Sequence, residues 1–525
     1  MSPNTDETHE TNPTFSRLHF VRGAAGVAAL PLLVPNSAAA ALTRPRVSRA
    51  HIASTGLLRI GYNGATTDVL DPASSHRFYE AVFPIYSRLV RPNNQNRPSP
   101  DLAVSWSANS HANVWTFKLR NGVLFHNGSA FTSKDVAYTL AHVLDPKFGS
   151  PGLSVLGSLL DPDSVKTPSA DTVVFKLKAP DADFPVLMMA QATFIIPDGS
   201  VGSIATSGIG TGPFKVDSFQ PGSQTNLSAF SKYYRGQPAL AGIQLLSIAD
   251  AQARTSALLA GQVDLLWSQS LDFAAAKEIG ANPNLVVQNA ASGDWHLIVM
   301  RTDVAPFTDN RVRQAMKLVV DDKEMIKVVL QGYGQPAGNN PVAPDDPYRL
   351  RNTWKPNISK AKALLKEAGK SGLHVTLYTS SSDGIMIPMS VTYKAMAAKA
   401  GINVTVQPTP PDTYFDTIVY HKSLCTDDWA ARPADQLLNE LFRSGAKHNE
   451  FFWHNKQFDS LLNAARRELN FTRRRRLYQQ AQQLVANESG AIIPFFQNRL
   501  RGMNKRVQNI PATVEDPDFF VVKLA

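Results

Sequence analysis

Residues able to do chemistry are thinly spread along this chain. The single cysteine, Cys425, can form no intramolecular disulfide and belongs to no zinc or iron–sulfur cluster, and a lone thiol packs as a small hydrophobe. The twelve histidines are scattered, and His448 and His454 lie six apart, which is wrong for one helical face. Neither H-E-x-x-H nor G-x-S-x-G occurs. Gly369-Lys370-Ser371 looks like the end of a phosphate-binding loop, but position 364 is Leu364 and the triplet follows a helical stretch. Gly369 is therefore expected as a helix C-cap. Asp427-Asp428 is a pair of adjacent acids, commoner on surface loops than in cation sites. Nothing assembles a nucleophile, a base and an orienting group, so catalysis is not expected, nor is a metal or a cofactor.

The elements that could position binding residues follow from size and periodicity. A chain of 525 residues suggests two to four lobes, at roughly 100–200 residues per domain. An apolar fraction of 43% with 18% charged residues is that of a globular protein. The net charge of +10 suits either an anionic ligand or simple solubility. The run Arg473–Arg476 leads into Leu477, Ala481, Leu484 and Val485, one face of a helix, so its arginines are expected in solvent. No basic stretch is interleaved with aromatics, and nucleic acid is not an expected partner.

The N-terminus reads as an address. Ser16-Arg17-Leu18-His19-Phe20-Val21-Arg22 precedes an apolar stretch, Gly23 to Val34, that Pro31 interrupts and Pro35 closes. That is short of the roughly 20 residues of a membrane span. Small residues follow from Ser37 to Ala41. A basic start, short apolar middle and A-x-A end predict an export signal over residues 1–41, cleaved near Ala40/Ala41. It is twin-arginine-like, with Leu18 in place of the second arginine. No cysteine lies at the cleavage region, so a free periplasmic protein is expected rather than a tethered lipoprotein.

Alternation predicts strands at Leu57–Tyr62, Val114–Leu119, Asp171–Leu177, His374–Tyr378 and Asn403–Gln407. Asn121-Gly122 is read as a hairpin turn into a strand Val123–His126. Thr132-Ser133-Lys134-Asp135 has the form of a capping box. Helices are expected at Ala251–Leu259, Arg311–Leu330, Ser359–Ala368 and Phe458–Glu468.

A series of longer motifs carries a resemblance. Leu102-Ala103-Val104-Ser105-Trp106 is followed by Trp115-Thr116-Phe117-Lys118-Leu119-Arg120-Asn121-Gly122-Val123-Leu124-Phe125-His126-Asn127-Gly128 and Phe131-Thr132-Ser133-Lys134-Asp135-Val136. Then come Gly210-Thr211-Gly212-Pro213-Phe214-Lys215-Val216, Leu259-Ala260-Gly261-Gln262-Val263-Asp264, the stretch Ala305–Ala315 and the stretch Ala361–Gly369. From about residue 57 onward the chain resembles family-5 bacterial extracellular solute-binding proteins, the peptide-, nickel- and opine-binding components of ABC importers. The resemblance implies an α/β, two-lobed periplasmic-binding-protein fold (type II, cluster C) with two crossover strands and an extra subdomain in the first lobe. It places lobe I at 55–292 plus 491–525, the inserted subdomain at about 91–200, and lobe II at 293–490. It implies a monomer that traps a small ligand by hinge closure and delivers it to membrane permease subunits. A secreted hydrolase or a sensing module without transport are the alternatives.

In peptide-binding members of the family, a W-x-x-D loop sets a carboxylate against the ligand's amino group. Here the stretch is Asp428-Trp429-Ala430-Ala431-Arg432-Pro433-Ala434-Asp435, with Arg432 in the acidic position. A guanidinium fork suits carboxylate or phosphate, so an acidic, peptide-like or opine-like ligand is expected. Alternatively, Arg432 pairs with Asp435 or Asp428 and only shapes the loop. Further candidate ligand contacts are Trp429, Asp428, Thr66, Thr67, Asn340 and His296, with Asp435 as a replacement amine anchor.

Overall fold

The computed structural model describes residues 56–93, 95–267, 271–351, 354–510 and 517–525; the expected export signal lies outside them. Two sheets form the two lobes. The first has seven strands, in the order Leu285–Ala290, Arg499–Asn504, Leu265–Leu266, Leu57–Tyr62, Gly242–Ser247, Gln224–Ala229 and Phe214–Phe219. The second has six, in the order Gly334–Pro336, Ala491–Gln497, Trp295–Met300, Leu424–Trp429, His374–Ser380 and Asn403–Thr409. Within it, His374–Ser380 and Asn403–Thr409 run parallel, with the helix Met386–Ala398 between them in sequence. Trp295–Met300 is buried at every position, because strands pair with both of its edges and hydrophobic clusters cover both faces. A four-stranded antiparallel sheet, Ala103–Ala108, Val114–Leu119, Thr172–Lys176 and Val165–Ser169, packs on the helix Ser133–Val143 as the inserted subdomain.

The chain crosses between the large sheets twice. It leaves the first after Ala290 and enters the second at Trp295; it returns across Asn498, between Gln497 and Arg499. The return therefore falls at 498 rather than at about 491. Ala491-Ile492-Ile493-Pro494-Phe495-Phe496 is apolar and buried throughout, so it carries no alternation to reveal which sheet it joins.

Local signals and local structure agree where neighbouring residues decide the outcome. The Thr132 side chain accepts from Lys134 N–H, and the Asp135 carboxylate accepts from Thr132 N–H at 2.7 Å. Gly369, at φ +66°, follows a helix end where Gly369 N–H bonds Lys366 O and Lys370 N–H bonds Leu365 O. Three expectations fail for non-local reasons. Val123–His126 forms no hairpin, because both edges of Val114–Leu119 are taken by Ala103–Ala108 and Thr172–Lys176; only a bridge from Leu124 to Ala130 remains. The helix expected over Arg311–Leu330 is two, Asn310–Leu318 and Asp322–Val329. The Asp321 carboxylate caps the second by accepting from Lys323 and Glu324 N–H. Finally, Arg474 of the arginine run is buried at 8% exposure rather than solvated.

His126 shows what the lost hairpin is replaced by. Its Nδ1 accepts from Gly210 N–H (3.2 Å), which leaves the proton on Nε2 to donate to Gly212 O (3.0 Å). Burial pushes its pKa down to about 4, so the ring is neutral and this tautomer is fixed. The Gly210–Gly212 segment lies flat on the Pro84–Ile85 backbone, and a Cβ on Gly212 would come within 2.5 Å of Pro84 O. Gly212→Ala is expected to lower stability by about 1–3 kcal/mol, as overpacking against unyielding backbone does. The unfolding midpoint in urea measures it.

Candidate ligand-binding site

A cavity of about 790 Å³ lies where the subdomain, the crossing segments and the second lobe meet. Each wall comes from a different stretch of chain. The first lobe and its subdomain supply Arg77, Arg91, Asp181, Asp183 and Arg235; the crossings supply Ser292, Gly293 and Arg499. The second lobe supplies Asp346, Tyr348 and the loop Ala431–Gln436 that follows the strand Leu424–Trp429. This volume falls within the roughly 300–1,000 Å³ typical of small-molecule sites.

The cavity is charged at both ends. Arg91 and Arg235 share Asp518, with contacts of 2.8–3.0 Å. Arg499 pairs with Asp294 at 2.7 Å. Arg77 meets no carboxylate among the described residues: it donates to Gln191 Oε1 and Ser74 O. Burial pulls its pKa below the ordinary arginine value. Across the cavity, Asp183 accepts from Tyr348 Oη (2.5 Å) and pairs with Arg474 (3.1 Å), and Ala182 N–H bonds Arg466 O (2.8 Å). These bonds join the subdomain to the second lobe, and any widening of the cleft on that side must break them.

Of the residues singled out from sequence, Arg432 and Asp435 line the cavity. Arg432 pairs with neither Asp435 nor Asp428: its Nε contacts Glu440 Oε2 at 3.0 Å and its Nη1 donates to Ala430 O. Its guanidinium lies 4.9 Å from the Trp429 ring centroid. Trp429 stands behind it, 8% exposed, with Nε1–H donating to Glu450 Oε1. Asp435 has both oxygens engaged, by Arg466 (2.8 Å), Tyr478 Oη (2.8 Å) and Asn439 Nδ2 (2.9 Å). Asn340 lies outside the cavity wall, fully buried, its amide donating to Gln482 and Leu350 while Oδ1 accepts from Val342 N–H. Thr66 and Thr67 are exposed on the loop after Leu57–Tyr62, also outside the wall. His296 and Asp428 are paired across adjacent strands inside the second lobe, away from the wall. Arg77, Asp181, Asp183 and Tyr348 went unseen in the sequence, since no local pattern links them.

Comparison with known proteins fits this geometry. The profile described as bacterial extracellular solute-binding proteins, family 5 Middle, matches residues 97–448. The chain belongs to that family. It is 25% identical over 441 residues to the glutathione-binding protein GsiB of Shigella boydii, covering 80% of this chain and 84% of the relative. It is also 25% identical over 477 residues to the probable D,D-dipeptide-binding periplasmic protein DdpA of Escherichia coli, covering 86% and 90%. Among solved structures, HbpA2 from Haemophilus parasuis superposes with a TM-score of 0.79 at 23% identity, covering 89% of this chain and all of that one. The unliganded open form of the murein tripeptide-binding protein MppA gives 0.80 at 20% identity, covering 90% and 98%. The family-5 fold is thus the two-lobed α/β one, and family members are periplasmic or extracellular binding proteins.

In this family-5 chain the His296 group is an electrostatic unit of the second lobe. His296 Nε2 meets Asp383 Oδ2 at 2.5 Å. Burial alone would lower the imidazole pKa, but the charge and hydrogen bond of Asp383 outweigh it and the net shift is upward. Asp383 is held down to about 2 by the same contact against its own burial. Asp428, half-buried opposite His296, is pushed up to about 7, desolvation outweighing the nearby imidazole. A raised folded-state pKa means the fold binds the proton more tightly than the unfolded chain does. The His296 contribution is thus complete below the unfolded value of about 6.5 and lost as pH rises through the folded one. An NMR titration of His296 is expected to show a midpoint above 6.5. In Asp383→Asn the midpoint should fall below it, with a stability loss of about 3 kcal/mol below pH 6 from the unpaired buried charge.

Proposed function

We propose that the protein binds a small peptide-like or opine-like ligand bearing an acidic group in the cavity between its lobes. After export to the periplasm and cleavage near Ala40/Ala41, it delivers that ligand to the permease subunits of an ABC importer, acting as a monomer. The observation that carries the acidic ligand is Arg77. Among the described residues it is a cation lining the cavity with only neutral partners, where burial makes an added carboxylate worth more than in water. Arg432 is the second anchor: its fork faces the same cavity, and Glu440 and Ala430 O account for Nε and Nη1. The names of relatives support the class, since glutathione, D,D-dipeptides and agropinic acid all carry carboxylates.

Native mass spectrometry of freshly purified protein is expected to release a co-purified compound with at least one carboxylate or phosphate. Titrating that compound into Arg77→Ala and Arg432→Ala should show affinity falling by about 10–100-fold in each, the worth of a charge-assisted hydrogen bond. Unchanged affinity in both would exclude the acidic group as the recognised feature.

A further inference from the structure

The other end of the cavity carries uncompensated negative charge. Where the subdomain meets the second lobe, Asp181, Asp183 and Asp435 face two guanidiniums, Arg466 and Arg474. Arg466 is spent on Asp435 in a two-pronged pair, and Arg474 is shared by Asp183, Tyr348 and the carbonyls of Glu468 and Leu469. That leaves Asp181. Its Oδ1 accepts the Asp183 amide at 2.8 Å, and its Oδ2 meets no donor among the described residues. The residue is 1% exposed and forms part of the cavity wall. Beside it, Asp183 Oδ2 is fully buried and also without a hydrogen-bond partner. Among the described residues, Asp346 on the same wall accepts hydrogen bonds only from the amides of Tyr348 and Ala434. The nearby Arg349 turns to the carbonyls of Pro336, Ala337 and Val342.

Buried carboxylates that outnumber their cations are costly, and burial shifts them toward the protonated form. Burial pushes Asp181 well above the carboxylate range, Asp183 to about 6 and Asp346 to about 7. A cation entering this end would find acceptor oxygens already in place and would remove the excess charge. A metal ion does not fit, because among the described residues no three acids, histidines or cysteines converge as ligands. An organic ammonium does, since it needs only two or three acceptors and brings its own donors.

We infer that Asp181, supported by Asp183, is the subsite that receives an ammonium group of the ligand. Resting on the reading of the cavity as the solute site, this makes the ligand zwitterionic: its acid lies toward Arg77 and Arg432 and its amine toward the subdomain. The amine is thereby held not by Asp435, whose oxygens are engaged, but by a residue of the inserted subdomain.

The test is calorimetric titration of D-alanyl-D-alanine, glutathione and L-alanyl-L-glutamate, each beside its N-acetyl derivative, in which the ammonium becomes a neutral amide. Wild-type protein is expected to bind the free amines about 10–100-fold more tightly than the acetylated partners. Asp181→Asn should bind both members of a pair equally, while its ligand-free melting temperature stays at or above that of wild type. A carboxylate serving only as a structural partner would instead lower the melting temperature when neutralised. The proposal is overturned if acetylated compounds match the free amines, if no free amine binds, if Mg²⁺ or Ca²⁺ protects the protein in their place, or if the preference survives in Asp181→Asn. Should that variant not fold, the wild-type preference decides alone. Arg432→Ala separates this from the acid-group reading: it should weaken both members of each pair and leave their ratio intact.

Discussion

One carboxylate holds the reference frame of this molecule. Asp294 sits in the first crossing between the lobes, and its Oδ2 takes both Nε and Nη2 of Arg499, which begins the return strand. Its Oδ1 takes the amide of Ala431, next to Arg432, and its carbonyl takes Gln497 N–H. Both crossings and the cavity loop are thus tied to a single side chain. The loop that lines the cavity is thereby held in register with both crossings.

The cavity that results is polar by construction rather than by composition. Its arginines come from the first lobe, the crossings and the loop after Trp429; its acids come from the subdomain and the second lobe, with Asp518 of the C-terminal segment beside the first-lobe arginines. Those acids sit among Tyr348, Tyr478 and Arg474, which are themselves buried, so the local dielectric is low and charged partners are felt strongly there. Across the cavity, Asp518 is shared by two guanidiniums, and Arg77 meets no carboxylate among the described residues. On the proposed reading, opposite charge at the two ends would orient a zwitterionic ligand, a device for selectivity more than for raw affinity. The surrounding scaffold, including the neutral His126 that clasps Gly210 and Gly212, has no part in that choice and can serve ligands of many kinds.

How much of this was legible in the sequence varied with distance along the chain. The Thr132–Asp135 cap, the Gly369 helix end and the helix Ala251–Leu259 were readable because residues within a few positions decide them. The ordered motifs from Leu102 to Gly369 gave the two-lobed fold. Of the residues that line the candidate cavity, Arg432 and Asp435 were singled out because they lie on one loop; Asp435 is committed to Arg466 and Tyr478. Asn340, Thr66 and Thr67 stand outside the cavity wall, and His296 with Asp428 forms a separate, partly buried group.

By itself the sequence determined the family, most of the elements and the presence of an arginine where an acid is usual. Only the tertiary structure decided that Arg474 is buried against Asp183, that Ala491–Gln497 joins the second sheet, and that Arg77 and Asp181 face one cavity. The physical reason is the same in each case. A charge or an apolar strand is specified by its neighbours in space, and Arg77 and Asp181 lie about a hundred residues apart in a chain that records only neighbours in sequence.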